Sequence, residues 1–376
     1  MKTKAAILRQ CGQPMSIETI DIAPPQNNEV LVEVKASGIC RSDLNSYFDP
    51  ATPLPIILGH EGAGVVKALG KGVTHVKEGD HVALSWVPSC GNCFYCLKGT
   101  RQLCDTVAQH LFNGTLLDGT KRFTRDGTKI GHYSLISTFS NHTVVPAKSC
   151  VPIPQELPFE QACLLGCSVA TGWGAARKAG NVQAGDHVAI FGSGGVGVAA
   201  IMGAKGARAD KIIAIDRKLV NLENAYTSGA TDSFLAPEAN DKKSSQDLTA
   251  KIMKLTAGRG VDCAIDTTGH TAGFEGAWYA TRKGGTIIVV GAYMAKTMSI
   301  PSTGFHQKAK TIKGCFYGDI DPYKDLQHLA NLALQGELPL GSLIRRRVKF
   351  NELNDAMLAL DDPKTCNMGR TVLTFD

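Results

Sequence analysis

The sequence predicts a two-domain α/β fold. A mostly β, partly barrel-like domain covers residues 1–168 and is completed by 317–376, and a doubly wound parallel-sheet domain covers 169–316. Three observations predict it. Short apolar runs such as Val30-Leu31-Val32-Glu33-Val34 and Gly64-Val65-Val66 alternate with turn signals such as Pro24-Pro25 and Gly79-Asp80, the spacing of antiparallel strands. From residue 185 the pattern becomes apolar strands alternating with helices, which implies βαβ units and a parallel sheet. After residue 316 that alternation stops, and Arg370-Thr371-Val372-Leu373-Thr374-Phe375 reads as a strand returning to the first domain.

In chain order, the parallel-sheet domain reads as a buried strand from His187 to Phe191, a helix from Gly195 to Arg208, and a strand from Ile212 to Ile215. Strands at Val261 to Ile265 and Thr286 to Val290 follow after helical stretches. Between the first strand and helix lies Gly192-Ser193-Gly194-Gly195-Val196-Gly197. Glycines in this pattern permit a tight turn and close backbone approach to a pyrophosphate, which then sits on the helix N-terminus. The next strand ends at Asp216, where a carboxylate can accept from a ribose hydroxyl and repel a 2′-phosphate. This favours NAD as cofactor, although Arg217 and Lys218 soften the repulsion.

With 43% apolar and 20% charged residues, the chain can bury a large core without disulfides. The net charge of +6 is diffuse, and the densest basic run is only Arg345-Arg346-Arg347, so no nucleic-acid partner is expected. No apolar run approaches membrane-span length, and Met1-Lys2-Thr3-Lys4 leads into a strand rather than a signal peptide, so a cytoplasmic location without membrane partners is expected. Among twelve cysteines, Cys11, Cys150, Cys163, Cys263, Cys315 and Cys366 are scattered among apolar neighbours, as buried thiols commonly are.

The other six carry metal chemistry. Cys90, Cys93, Cys96 and Cys104 form C-x2-C-x2-C-x7-C, enough thiolates for a closed, structural zinc site. An iron–sulfur cluster or a redox-active C-x-x-C are the alternatives. A dispersed set comprises Cys40 in Gly-Ile-Cys-Arg-Ser-Asp, His60 in Gly-His-Glu-Gly-Ala-Gly and Cys167 in Leu-Gly-Cys. Two thiolates and an imidazole leave a fourth tetrahedral place open, as in a catalytic zinc site. Taken singly, such residues are more often packed core.

Nearly end to end, the chain resembles the zinc-dependent medium-chain alcohol dehydrogenases, themselves the type example of a catalytic Cys2His set. Gly59-His60-Glu61-Gly62-Ala63-Gly64, the four-cysteine lobe, Gly166-Cys167, the glycine turn and the terminal strand occur in the family's order. Residues 105–140 resemble the longer loop of the animal and glutathione-linked classes, notably at Asp118-Gly119-Thr120 and Ser137-Thr138-Phe139-Ser140. The resemblance implies a GroES-like catalytic domain, a Rossmann cofactor domain, NAD, and two zinc ions per subunit in a homodimer or homotetramer. It also implies that Cys40, His60 and Cys167 bind the catalytic zinc, with Asp43 behind His60 and Glu61 behind the metal as an occasional ligand. Arg41 and Arg370 would hold the pyrophosphate, and Thr171 would pack on the nicotinamide. Ser42 would pass on the proton released when an alcohol is oxidised to an aldehyde. By alignment, Ser42, Trp86, Ser134, Ala292 and Phe316 would line a pocket for primary alcohols with an aromatic or medium-length apolar group.

Two departures stand out. Many relatives end the proton relay with a histidine three residues after Ser42, where this chain has Asn45, an amide that cannot titrate near neutrality. Glutathione-linked relatives carry an arginine just after the last lobe cysteine, where Asp105-Thr106-Val107-Ala108 offers no cation. The remaining alternatives are a polyol or other secondary-alcohol dehydrogenase, a metal-free quinone reductase, which would need none of the dispersed ligands, and a non-catalytic zinc-binding protein of the same fold.

Overall fold

The computed structural model describes residues 1–238, 241–292, 297–300, 302–362 and 369–375. It divides into two compact units, one formed by Met1–Cys167 with most of the chain after Asp321, the other by Ser168–Ile320.

In the first unit, the strands Lys2–Leu8, Ser16–Ile22, Phe123–Arg125, Thr128–His132 and Ile56–Ile57 close into a barrel. Closure leaves no strand edge unpaired, and the interior fills with Ile7, Ile20, Ile57, Phe123 and Ile130, all fully buried. Beside it lies a seven-stranded sheet ordered Cys150–Pro152, His81–Leu84, Glu61–Leu69, Glu29–Ile39, Arg370–Thr374, Ile344–Lys349. The Glu29–Ile39 strand shares one edge between two partners: His142–Pro146 pairs with its first half and Arg370–Thr374 with its second. The tail thus contributes an integral strand. It also contains the Pro322–Leu334 helix, capped by Asp321 with Pro322 in its first turn, which the sequence reading passed over.

The second unit is a six-stranded parallel sheet ordered Asp232–Leu235, Lys211–Asp216, His187–Phe191, Val261–Asp266, Thr281–Val289, Thr311–Gly314. Numbered along the chain this is 3-2-1-4-5-6, the doubly wound order. The central strand shows why its apolar run is continuous. Val188 and Ile190 enter one core with Ala200, Ile201 and Ala204, while Ala189 and Phe191 enter the other with Phe274 and Trp278. Each large side chain buried this way contributes about 1.5–3 kcal/mol. The helix after it is Gly195–Gly206, shorter than the expected stretch, because Arg208 adopts φ 61° and turns the chain. The fifth strand starts at Thr281, five residues earlier than read from sequence.

Among the described residues no helix is long and apolar enough to cross a membrane. Cys150, Cys163 and Cys263 are buried free thiols, and Cys11 and Cys315 are partly exposed. Cys366 lies outside the described residues.

Candidate functional site

Strand register brings the dispersed ligands together. Glu29–Ile39 runs antiparallel to Glu61–Leu69 with Gly38 opposite Glu61, so Cys40 leaves one strand where His60 enters the other. On the far edge Ile39 pairs with Thr371, which places Arg370 alongside. Cys167 arrives from the Cys163–Gly166 turn, which fits because Gly166 has no side chain: a Cβ there would lie 2.3 Å from the Leu84 carbonyl oxygen. Ligand atoms of Cys40, His60, Glu61 and Cys167 all lie within 4.8 Å of one another, and all four residues are buried.

Hydrogen bonds aim these groups. The buried Asp43 carboxylate meets His60 Nδ1 at 2.8 Å and accepts from the Cys40 and Gly59 backbone N–H groups at 2.9 and 3.2 Å. With Nδ1 engaged, Nε2 is the imidazole atom left for a metal. The Cys167 thiol hydrogen-bonds Cys40 and, with Arg370 and His60, holds the Cys40 thiol well below its ordinary pKa; Cys167, giving that bond to Cys40, is pushed well above its own. Two buried thiols whose ionisation is driven in opposite directions form a donor set that needs a divalent cation before both can ionise. Behind them burial lifts Glu61 to about 7 against the pull of Arg370, to which it is ion-paired. Glu61 Oε2 is left without a hydrogen-bond partner.

The four-cysteine lobe is built locally. Cys93 precedes the one-turn Phe94–Leu97 helix that carries Cys96, and Cys104 precedes Asp105–Ala108. Sulfur–sulfur distances are 3.9 Å for Cys90–Cys96 and for Cys93–Cys104. Those are far beyond a disulfide and close to the edge of about 3.8 Å that a tetrahedron of zinc–sulfur bonds requires. Burial opposes ionisation of Cys90, but the Asn92 and Cys93 amides and the Thr106 side chain outweigh it and bring the thiol to about 6. Burial pushes Cys96 up to about 12. The donors fit a metal with no position left over.

In the second unit, Gly192 turns the chain at φ 90°, a conformation suited to glycine. A Cβ on Gly197 would lie 1.8 Å from the Gly192 carbonyl oxygen, so the helix packs directly on the turn. Gly194 caps the twelve-residue Gly195–Gly206 helix, whose first amides have no partners within the helix and can bind an anion. Asp216 ends its strand beside this turn and accepts from the Ser193 backbone N–H at 2.7 Å.

Other expected residues fall variously. Trp86 stands edge-on to His60, with ring centroids 6.3 Å apart. Ser42 is exposed, its Oγ 3.8 Å from Cys40 Sγ, and Asn45 is exposed on the same Arg41–Phe48 helix. The Arg41 guanidinium is engaged by the Leu360 carbonyl at 2.7 Å and Asp361 at 3.0 Å. Arg370 is 8% exposed and held by Glu61 rather than free in solvent. Ser134, expected to face a pocket, is buried in a left-handed turn at φ 48°. Thr171 and Val196 are half-buried, while Arg217, Ala292 and Phe316 are exposed. Sequence reasoning missed Tyr133, whose ring packs edge-on to His60 at 5.8 Å and whose hydroxyl accepts from Ser46 and donates to the Ser42 carbonyl. No local pattern marks it. Asn221, which binds Asp216, was also missed, though a polar residue in the first turn after a strand-ending acid is a usable signal.

Residues 26–155 match the alcohol dehydrogenase GroES-like domain family, and residues 195–333 match the zinc-binding dehydrogenase family. The chain is 37% identical to an NDMA-dependent alcohol dehydrogenase of Amycolatopsis methanolica, over 97% of each protein. It is 36% identical to an S-(hydroxymethyl)glutathione dehydrogenase of Synechocystis, over 97% of this chain and 98% of the relative. Among solved structures, benzyl alcohol dehydrogenase from Acinetobacter calcoaceticus superposes with a TM-score of 0.91 at 30% identity, over the whole of both chains.

Proposed function

Because the chain belongs to the zinc-dependent medium-chain alcohol dehydrogenase family, we propose that it oxidises primary alcohols to aldehydes, and reduces aldehydes, with one catalytic zinc, one structural zinc and NAD. The convergence of Cys40, His60 and Cys167, with Glu61 behind them, carries this reading. Those residues would hold the catalytic zinc, and Cys90, Cys93, Cys96 and Cys104 the structural one. When bound, zinc supplies Lewis acidity toward the alcohol oxygen and NAD accepts the hydride that leaves the carbinol carbon.

The chain's own residues do the rest. Asp43 fixes the His60 ring, and the buried Arg370 offsets negative charge from Glu61 and the thiolates. Ser42 lies next to the ligands and reaches solvent, so its hydroxyl can take the alcohol's proton and hand it on. Asn45 cannot hold that proton, so the relay has no titrating side chain at that position. The rings of Trp86 and Tyr133 beside His60 support a narrow, apolar approach that favours unbranched or aromatic primary alcohols. The likeness to a benzyl alcohol dehydrogenase supports the same class.

The test is kcat/KM for ethanol, hexanol, benzyl alcohol, 2-propanol and 1-phenylethanol with metal-analysed protein, supplying NAD or NDMA as acceptor. Benzyl alcohol and hexanol should lead with NAD. Turnover with NDMA by protein freed of bound nucleotide would overturn the NAD assignment, and a faster secondary alcohol would overturn the substrate class.

A further inference from the structure

Asp216 is held by three donors. Oδ1 accepts from the Lys218 backbone N–H at 2.9 Å and from Asn221 Nδ2 at 3.1 Å, and Oδ2 accepts from the Ser193 backbone N–H. A carboxylate has about four acceptor positions, so the remaining capacity sits on Oδ2. Asn221 is 1% exposed, and its Oδ1 has no hydrogen-bond partner. Turning the amide over would set oxygen against carboxylate oxygen, so only one orientation is tolerable. Burying an amide oxygen without a donor is unfavourable, and an apolar residue would fill this first-turn position without that penalty. The side chain is therefore spent on aiming Asp216. A neutral amide does this without cancelling the carboxylate's charge, as lysine or arginine would.

We propose that Asn221 is a positioning residue that determines nucleotide specificity. By holding Asp216 aimed, it selects an adenosine ribose with a free 2′-hydroxyl, a donor, over one carrying a 2′-phosphate, an acceptor-only dianion. The aimed Asp216 carboxylate accepts from a 2′-hydroxyl and repels a 2′-phosphate, a repulsion that the exposed Arg217 beside it softens. This rests on the dinucleotide reading above.

The experiment measures calorimetric Kd values for ADP-ribose and 2′-phospho-ADP-ribose, which need no turnover, in the parent, Asn221→Leu and the isosteric Asn221→Asp. Both variants should weaken ADP-ribose by about tenfold and change 2′-phospho-ADP-ribose little, so the ratio of the two constants shrinks. A structural role alone would weaken both ligands together. An unchanged ratio in either folded variant overturns the proposal while leaving the dinucleotide site standing. Failure of the parent to bind ADP-ribose would overturn both.

Discussion

In the lobe, four ligands fall within the fifteen residues from Cys90 to Cys104 and are held by one-turn helices and tight turns. In the other cluster the ligands span Cys40 to Cys167 and meet only because strands pair in one register. The lobe's Cys90 and Cys93 are partly exposed, whereas all four groups of the dispersed cluster are buried. A local site needs only its own loop, and its closed thiolate set suits a structural role. A register-built site depends on the whole unit, and in return has room for an aiming carboxylate, a compensating arginine and an open coordination place. The difference supports placing the proposed chemistry at the dispersed cluster and not at the lobe.

Backbone crowding should break the comparison most sharply. Gly166→Ala puts a Cβ 2.3 Å from the Leu84 carbonyl and must displace Cys167. We expect kcat/KM to fall by about 100-fold, the usual cost of an ångström-scale misplacement. Gly99→Ala in the lobe meets nothing within 4 Å, though its φ of 83° strains any side chain. It should cost about 1–2 kcal/mol of stability and no activity. Equal activity losses would mean that both clusters serve catalysis.

Asp43→Asn should weaken metal retention at the dispersed cluster by about 10–100-fold while the lobe keeps its ion, because His60 and the Cys40 backbone rely on that carboxylate. Dialysis against graded chelator, followed by metal analysis, reads this directly. Parallel loss from both clusters would contradict it.

Acid should weaken the unit that carries both clusters. His132 in the barrel is fully buried and desolvation brings its imidazole to about 3, below the unfolded value of about 6.5. The unfolded chain therefore binds the extra proton, so stability is intact above about pH 6.5 and is lost progressively as pH falls toward 3. Between pH 7 and 5 this histidine should account for about 2 kcal/mol of lost stability. Denaturant melts of the parent and His132→Gln should diverge by that amount, and parallel curves would show that His132 does not carry the effect.

The smallest effect is expected at Asn45. Asn45→His supplies a titrating group three residues from Ser42, and alcohol oxidation should rise by roughly threefold on the acidic limb. An overlaid pH–rate profile would mean that water already completes the relay.

Legibility in the sequence followed the same divide. The four cysteines, the glycine turn and the His187–Phe191 strand are contiguous, and their spacing carries their meaning. Pairing Gly38 with Glu61 is a long-range choice that no local window encodes, so Cys40, His60 and Cys167 were assembled only through family resemblance. Alignment placed Ser134 by position, and its burial was not legible that way. The Arg370–Glu61 ion pair was illegible for the same reason, since the two residues lie 309 apart in sequence. The Pro322–Leu334 helix carried clear start signals in Asp321 and Pro322, but was passed over because the regular alternation of apolar strands and helices stops after residue 316.

The central claim, two metal sites with separate duties, is tested most directly by zinc content, turnover and thermal stability in the parent, Cys40→Ala and Cys93→Ala. The parent should hold about two zinc ions per chain and each variant about one. Cys40→Ala should be folded and inactive, and Cys93→Ala should melt lower while retaining catalytic zinc. Full activity in folded Cys40→Ala would contradict the account.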